Sequence, residues 1–185
     1  MRITGGFKRG LRLISLPGKK IRPTADRVKE TIFNVLGQDL SDCVVVDAFA
    51  GTGAWGLEAY SRGARFVYFI ENSPTALSVL QENLLKTRIP EHQYLLITVD
   101  LLRSPIQLSE RAHLFYFDPP YQIWNEEVVL HLKHWAIANS LPDWLIIFEH
   151  SCGQPFFSNL ADDGCEIRQI KIGNSQLTIL STRNE

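Results

Sequence analysis

Four carboxylates and two short turns carry the residue types that could do chemistry in this chain. Phe115-Tyr116-Phe117-Asp118-Pro119-Pro120-Tyr121 is an aromatic, strand-like run that ends in an acid, two prolines and a ring. Prolines remove backbone donors and stiffen the chain, so the strand must stop there and turn. The turn leaves Asp118 and the Pro119 carbonyl as acceptors beside the face of Tyr121. Two acceptors and a ring suit a flat group with an exocyclic amine. A nucleobase has that shape, and stacking a base on an aromatic side chain is worth about 1–3 kcal/mol. Taken alone, the same turn also reads as the end of a buried strand, with Asp118 capping the next helix.

Upstream, Gly51-Thr52-Gly53-Ala54-Trp55-Gly56 matches the glycine pattern of a nucleotide-binding turn, with Glu71 at the right distance beyond it. Glycines let backbone approach a ligand, and an acid at the second strand tip can hold a ribose diol. Asp47 sits inside the preceding apolar run, where it can orient the loop or face a cationic group. Asp100 follows Tyr94–Val99 and can accept from an adenine amine. Three acids around one pocket suit a cationic nucleoside without phosphates better than a pyrophosphate. S-adenosylmethionine, with its ammonium, sulfonium, ribose and adenine, has that chemistry. The candidate cofactor residues are Asp47, Phe49, Gly51, Gly53, Glu71 and Asp100; the candidate catalytic residues are Asp118, Pro119 and Tyr121.

The elements that must position these groups alternate. Residues 1–21 read as a short hairpin or arm, punctuated by Gly5-Gly6 and Gly10 and turned at Pro17-Gly18. A helix capped by Thr24 runs to Leu36, with Val28, Ile32, Val35 and Leu36 at helical spacing. Strands are expected over Cys43–Phe49, Phe66–Ile70, Tyr94–Val99, 114–118 and Trp144–Phe148, with helices over Ala54–Arg62, Pro74–Lys86 and 124–138 between them. Glu166–Ile172 and Gln176–Leu180 form a final antiparallel pair around Gly173-Asn174. This is an α/β, doubly wound, Rossmann-like sheet. Residues 1–36 read as a basic arm and helix, and residues 37–185 as one compact domain.

Charge adds a partner. Residues 1–30 hold nine basic side chains against Asp26 and Glu30, a surplus of +7 in a chain whose total is −1. A basic end on an acidic body is a footprint for a polyanion, and Lys8, Arg9, Arg12, Arg22 and Arg27 are its candidate contacts. The basic start lacks the apolar block of a signal peptide, and no apolar run reaches membrane-spanning length. Cys43, Cys152 and Cys165 show no metal spacing and read as free thiols of a reducing compartment. A cytoplasmic monomer with no metal is expected.

Val46-Asp47-Ala48-Phe49-Ala50-Gly51-Thr52-Gly53 followed by Asp118-Pro119-Pro120-Tyr121 resembles class I S-adenosylmethionine-dependent amino-methyltransferases. Met1-Arg2-Ile3-Thr4-Gly5-Gly6, residues 22–30 and residues 56–64 are similar to the RsmD family of ribosomal RNA guanine-N2 methyltransferases. The resemblance implies seven strands with the last antiparallel. It places Asp47, Gly51 and Gly53 at the methionine end, Glu71 on the ribose, Asp100 on the adenine and Asp118 through Tyr121 on the target. The implied substrate is a guanine of 16S ribosomal RNA, free or in the small-subunit particle. An adenine-N6 methyltransferase would share the amine-holding turn, but the chain leaves no room for a separate target-recognition domain. An NAD-dependent oxidoreductase would leave Asp118 through Tyr121 unused, and a non-catalytic RNA-binding module would not need Asp118.

Overall fold

Valine-rich runs without polar alternation must be covered on both faces, and such runs form the centre of the sheet. The computed structural model of the chain describes residues 1–16, 23–104, 106–154, 160 and 164–182. The elements are α1 (Pro23–Leu36), β1 (Val44–Ala48), α2 (Ala54–Ser61), β2 (Phe66–Ile70), α3 (Pro74–Thr87), β3 (Tyr94–Ile97), β4 (Ala112–Phe117), α4 (Glu126–Ala138), β5 (Ser140–Ser151), β6 (Glu166–Ile172) and β7 (Ser175–Ser181). The seven strands lie in the order β3-β2-β1-β4-β5-β7-β6. Pairs from β3 through β5 are parallel, and β7 runs antiparallel to both β5 and β6. This is the doubly wound sheet with an antiparallel last strand expected from the sequence.

Alternate residues of each strand feed opposite cores. Val45, Phe69, Leu114, Tyr116 and Ile147 pack on one face with Val28, Ile32 and Phe33 of α1 and Trp55 and Leu57 of α2. Val44, Val46, Phe115, Phe117 and Phe148 pack on the other with Val129, Leu132 and Trp135 of α4.

Several boundaries differ from expectation for local reasons. Phe49 takes a left-handed backbone at φ 60°, which ends β1 at Ala48. β3 stops at Ile97, so Asp100 lies in the turn beyond it rather than at its tip. β5 is longer than its apolar run, because β7 pairs with it as far as Ser151. α1 begins at Pro23, so Thr24 lies within its first turn, where proline is favoured for its fixed φ.

The N-terminal segment is a hairpin docked on α2. Arg2 and Arg12 form its bridge, Ile3 N–H donates to Leu11 O at 2.9 Å, and Ile3 and Leu13 are buried in the first core. The fully buried Glu58 of α2 accepts from Thr4 N–H (2.7 Å), Gly5 N–H (2.7 Å) and Thr4 Oγ1 (2.9 Å). Lys29 (3.3 Å) and Arg62 (2.9 Å) neutralise it. Lys29 also donates to Arg2 O, so it is a structural cation and not part of an open basic face. Gly6 sits at φ 69°, and a Cβ there would fall 1.7 Å from Ser61 O, so only glycine permits this approach.

Candidate active site

The candidate groups gather at the carboxyl ends of the strands, where open α/β sheets bind ligands. Asp47 on β1 is buried, and its Oδ2 accepts from Gly56 N–H at 2.8 Å. Of the two roles read from sequence, the structure thus gives it the anchoring of the first turn of α2. Burial pushes its pKa well above the ordinary carboxylate value, with the Gly56 bond opposing and Asp118 and Glu71 adding to the rise. The loop that follows requires left-handed backbone at Gly51 (φ 58°) and Gly53 (φ 74°). A Cβ at Gly53 would meet Leu80 Cδ1 at 2.2 Å, whereas one at Gly51 would find nothing nearer than Phe49 O at 3.8 Å. Gly53 is therefore tight against α3, and Gly51 borders open space.

Glu71 closes the loop. Its Oε2 accepts from Gly51 N–H at 2.7 Å, and its Oε1 from Asn72 N–H (2.9 Å) and Ser73 N–H (2.8 Å). Of the roughly four acceptor positions of a carboxylate, Oε2 keeps one open. Phe49, Ile70, Glu71, Asn72, Val99 and Leu101 line a small recess between the tips of β1, β2 and β3. Asp100 lies in the same segment; its Oδ1 accepts from Leu102 N–H at 3.1 Å and its Oδ2 lies 3.4 Å from Arg103.

On the other side of β1, Asp118 is exposed just past the end of β4, Pro119 is buried, and Tyr121 is 41% exposed at the start of a short 3-10 turn. Asp118 does not cap α4. Asn125 does, accepting from Val128 N–H at 3.0 Å. Trp124 packs rather than presenting a base platform: it is buried and stacks on His150 at 4.5 Å.

Three polar residues carry more of the architecture than their sequence context reveals. Glu58 stands in a helix whose residues from Trp55 to Ser61 are all buried, an acid in an apolar stretch that could have been read as a paired core charge. Buried Asn83 accepts from Ile14 N–H (2.7 Å) and donates to Ile14 O (3.0 Å) and Thr52 O (2.9 Å), tying the hairpin to the glycine loop. Glu149, near the end of β5, accepts from Tyr116 Oη and from Ser175 Oγ (3.2 Å). Neither of the last two has a sequence signal, since each depends on a partner more than twenty residues away.

Of the basic candidates, Arg9, Arg12 and Arg27 are exposed and Lys8 is half-buried, its Nζ 5.8 Å from the Phe7 ring. Arg22 lies outside the described residues. The site residues of the loop and of the Asp-Pro-Pro-Tyr turn are brought to one edge, and Lys8 N–H donates to Ser61 Oγ of α2 at 2.9 Å.

The sheet order, the antiparallel β7 and the ligand edge define a Rossmann-like class I methyltransferase fold. The structure of magnesium protoporphyrin IX methyltransferase from Synechocystis PCC 6803 with bound SAM superposes with a TM-score of 0.70, covering 91% of this chain and 88% of that one at 15% identity, a likeness of fold alone. The structure of yhhF from Escherichia coli superposes with a TM-score of 0.79 over 100% of this chain and 99% of that one, at 26% identity. Ribosomal RNA small subunit methyltransferase D of Haemophilus influenzae is 35% identical over 147 residues, 76% of each chain. The family described as Conserved hypothetical protein 95 matches residues 1–181. The chain belongs to this family, the one that includes ribosomal RNA small subunit methyltransferase D.

Proposed function

We propose that this protein transfers a methyl group from S-adenosylmethionine to the exocyclic N2 amine of a guanine in small-subunit (16S) ribosomal RNA. The observation that carries the reading is the placement of Asp118 through Tyr121 one strand away from the glycine loop, with Asp118 and Tyr121 exposed and the cap of α4 supplied by Asn125. The residues fit the cofactor: Gly51 borders open space, Glu71 keeps an acceptor position, and the recess beside it sets Phe49, Ile70, Val99 and Leu101 against the polar Glu71 and Asn72. Phe49, Gly51 and Gly53 shape the wall, Glu71 takes a ribose hydroxyl, and Asp100 takes the adenine amine. Asp47 acts through α2, holding the loop in place. Bound S-adenosylmethionine supplies an electrophilic methyl on a positively charged sulfur.

The chain's own task is alignment. The guanine amine is a poor nucleophile because its lone pair is conjugated into the ring. Asp118 and the Pro119 carbonyl accept its two N–H bonds and turn the nitrogen towards the methyl, while Tyr121 fixes the ring plane by stacking. Asp118 would hold the proton that the nitrogen sheds on accepting the methyl. Orientation of this kind can supply roughly 7–11 kcal/mol. A base in a duplex is out of reach, so the target is unpaired or flipped. Lys8, Arg9, Arg12 and Arg27, with Arg22, hold phosphates of the RNA or of the small-subunit particle. The protein works as a cytoplasmic monomer.

Methyl incorporation tests the reading. Asp118→Ala is expected to keep cofactor affinity and lose most transfer of tritiated methyl to unmethylated small-subunit RNA. Transfer near the wild-type rate in that variant places the chemistry elsewhere.

A further inference from the structure

The register of the sheet sets a second acid beside the target. Phe117 pairs with Phe148, so Asp118, the first residue past β4, and Glu149 of β5 follow the last paired residues of the two strands. Adjacent strands lie about 4.8 Å apart, and both carboxylates lie near enough to the Tyr116 phenol to act on it, which sets the two acids on its side of the sheet. Tyr116, two residues before Asp118, lies on that face too, and its hydroxyl donates to Glu149 Oε2. Ser175 Oγ holds Oε1 at 3.2 Å. Burial and the neighbouring carboxylates push the Tyr116 phenol well up, so it stays a donor; burial also raises the Glu149 carboxyl, and its bonds from Tyr116 and Ser175 oppose that rise. Glu149 is half-buried, and two hydrogen bonds leave each oxygen with an open position. This is a fixed, partly accessible carboxylate beside the group that holds the amine, and the methyl chemistry gives it no task.

A guanine supplies one. Its N2 amine is flanked by a ring N1–H, a donor, whereas the amine of adenine is flanked by ring acceptors. Building on the proposed guanine-N2 reading, we propose that Glu149 is the residue that reads the base: its carboxylate accepts the N1–H of guanine while Asp118 and the Pro119 carbonyl hold the amine. Tyr116 and Ser175 are positioning residues that fix the carboxylate. A base with an acceptor at N1 would face that carboxylate with like polarity and be rejected.

2-Aminopurine probes this hydrogen bond, because it keeps the amine and carries an acceptor at N1; its missing O6 is the same for every protein compared. The experiment compares kcat/KM for methyl transfer to two small-subunit RNAs. One carries guanine at the position that the wild-type protein methylates; the other carries 2-aminopurine there. The intrinsic reactivities of the two bases cancel when the ratio is compared between proteins. Glu149→Gln offers a donor to N1 and preserves shape, so it is expected to lose roughly 10-fold to 100-fold of the wild-type preference for guanine, the strength of a charged hydrogen bond. Affinity for S-adenosylmethionine should stay unchanged. Tyr116→Phe, which frees the carboxylate without removing it, is expected to lose a smaller share, and keeps the test decisive should Glu149→Gln not fold. A guanine preference unchanged in both variants overturns the role of Glu149 and leaves the methylation reading intact. A wild-type protein that methylates no guanine overturns both.

Discussion

Glu71 builds the loop, because its two oxygens accept three backbone N–H groups, and in the proposed site it also takes a ribose hydroxyl. Glu71→Ala should weaken S-adenosylmethionine binding by about 1.5–3 kcal/mol, the worth of a hydrogen bond to a charged group. It should also release Gly51, and calorimetry on Glu71→Gln, which keeps acceptors for part of the backbone set, should show a smaller effect. Equal affinity in wild type and Glu71→Ala would remove Glu71 from the ribose site. Asp47 makes a different prediction. Its pKa is raised in the folded protein, chiefly by burial, so folding favours the protonated form. For an acid shifted upward, that stability is fully present below the unfolded value and is lost as pH rises towards the folded one. Asp47→Asn keeps an acceptor for Gly56 without a buried charge. It should therefore raise the denaturation midpoint near neutral pH, and the gain should fade on acidification through the carboxylate range. A gain independent of pH would show that the charge is not the cause.

At the scale of elements, α2 is the joint of the molecule. Its start is set by Asp47 and the glycine loop, and its middle by Glu58, which holds the hairpin between Lys29 and Arg62. Removing one partner of such a buried cluster leaves charges uncompensated, so Glu58→Ala should cost about 3–5 kcal/mol in chemical denaturation. A cost below about 1 kcal/mol would mean that the hairpin is held by Ile3 and Leu13 alone. The strand–helix alternation around α2 was legible in sequence because the central strands are mostly apolar runs, α1 and α3 begin at a proline, and glycines follow α1 and α2. The glycine loop, Glu71 and Asp118 were legible because their spacing is local. β5 was under-read because its outer half is polar and becomes a strand only by pairing with β7. Lys29 counted as part of a basic face, yet it is buried, since its partner Glu58 lies 29 residues away. Glu149 and Asn83 were silent for the same reason: the hydrogen bonds that define them join strands and loops that no local pattern connects.

The whole molecule sets a basic hairpin against an acidic body, with the hairpin tied through Asn83 to the loop at the cofactor edge. Lys8, Arg9 and Arg12 precede the pocket in the chain, and they should grip RNA without shaping the cofactor site. Replacing all three by Ala should lower the log–log salt slope of RNA binding by about 0.7–0.9 for each phosphate that is no longer neutralised, with S-adenosylmethionine affinity unchanged. An unaltered slope would move the RNA to another surface. Among the described residues no helix is long and apolar enough to cross a membrane, and no cluster of metal-ligating side chains occurs. What the fold offers is one edge with a recess lined by Phe49, Ile70 and Glu71 on one side of β1 and the Asp118–Tyr121 turn on the other. The direct measurement is therefore the identity of the methylated nucleoside. Unmethylated small-subunit RNA is incubated with labelled S-adenosylmethionine, digested to nucleosides and separated. Label in N2-methylguanosine with the wild-type protein, and its loss with Asp118→Ala, is the predicted result. Label in N6-methyladenosine, or none in any nucleoside, would contradict the account.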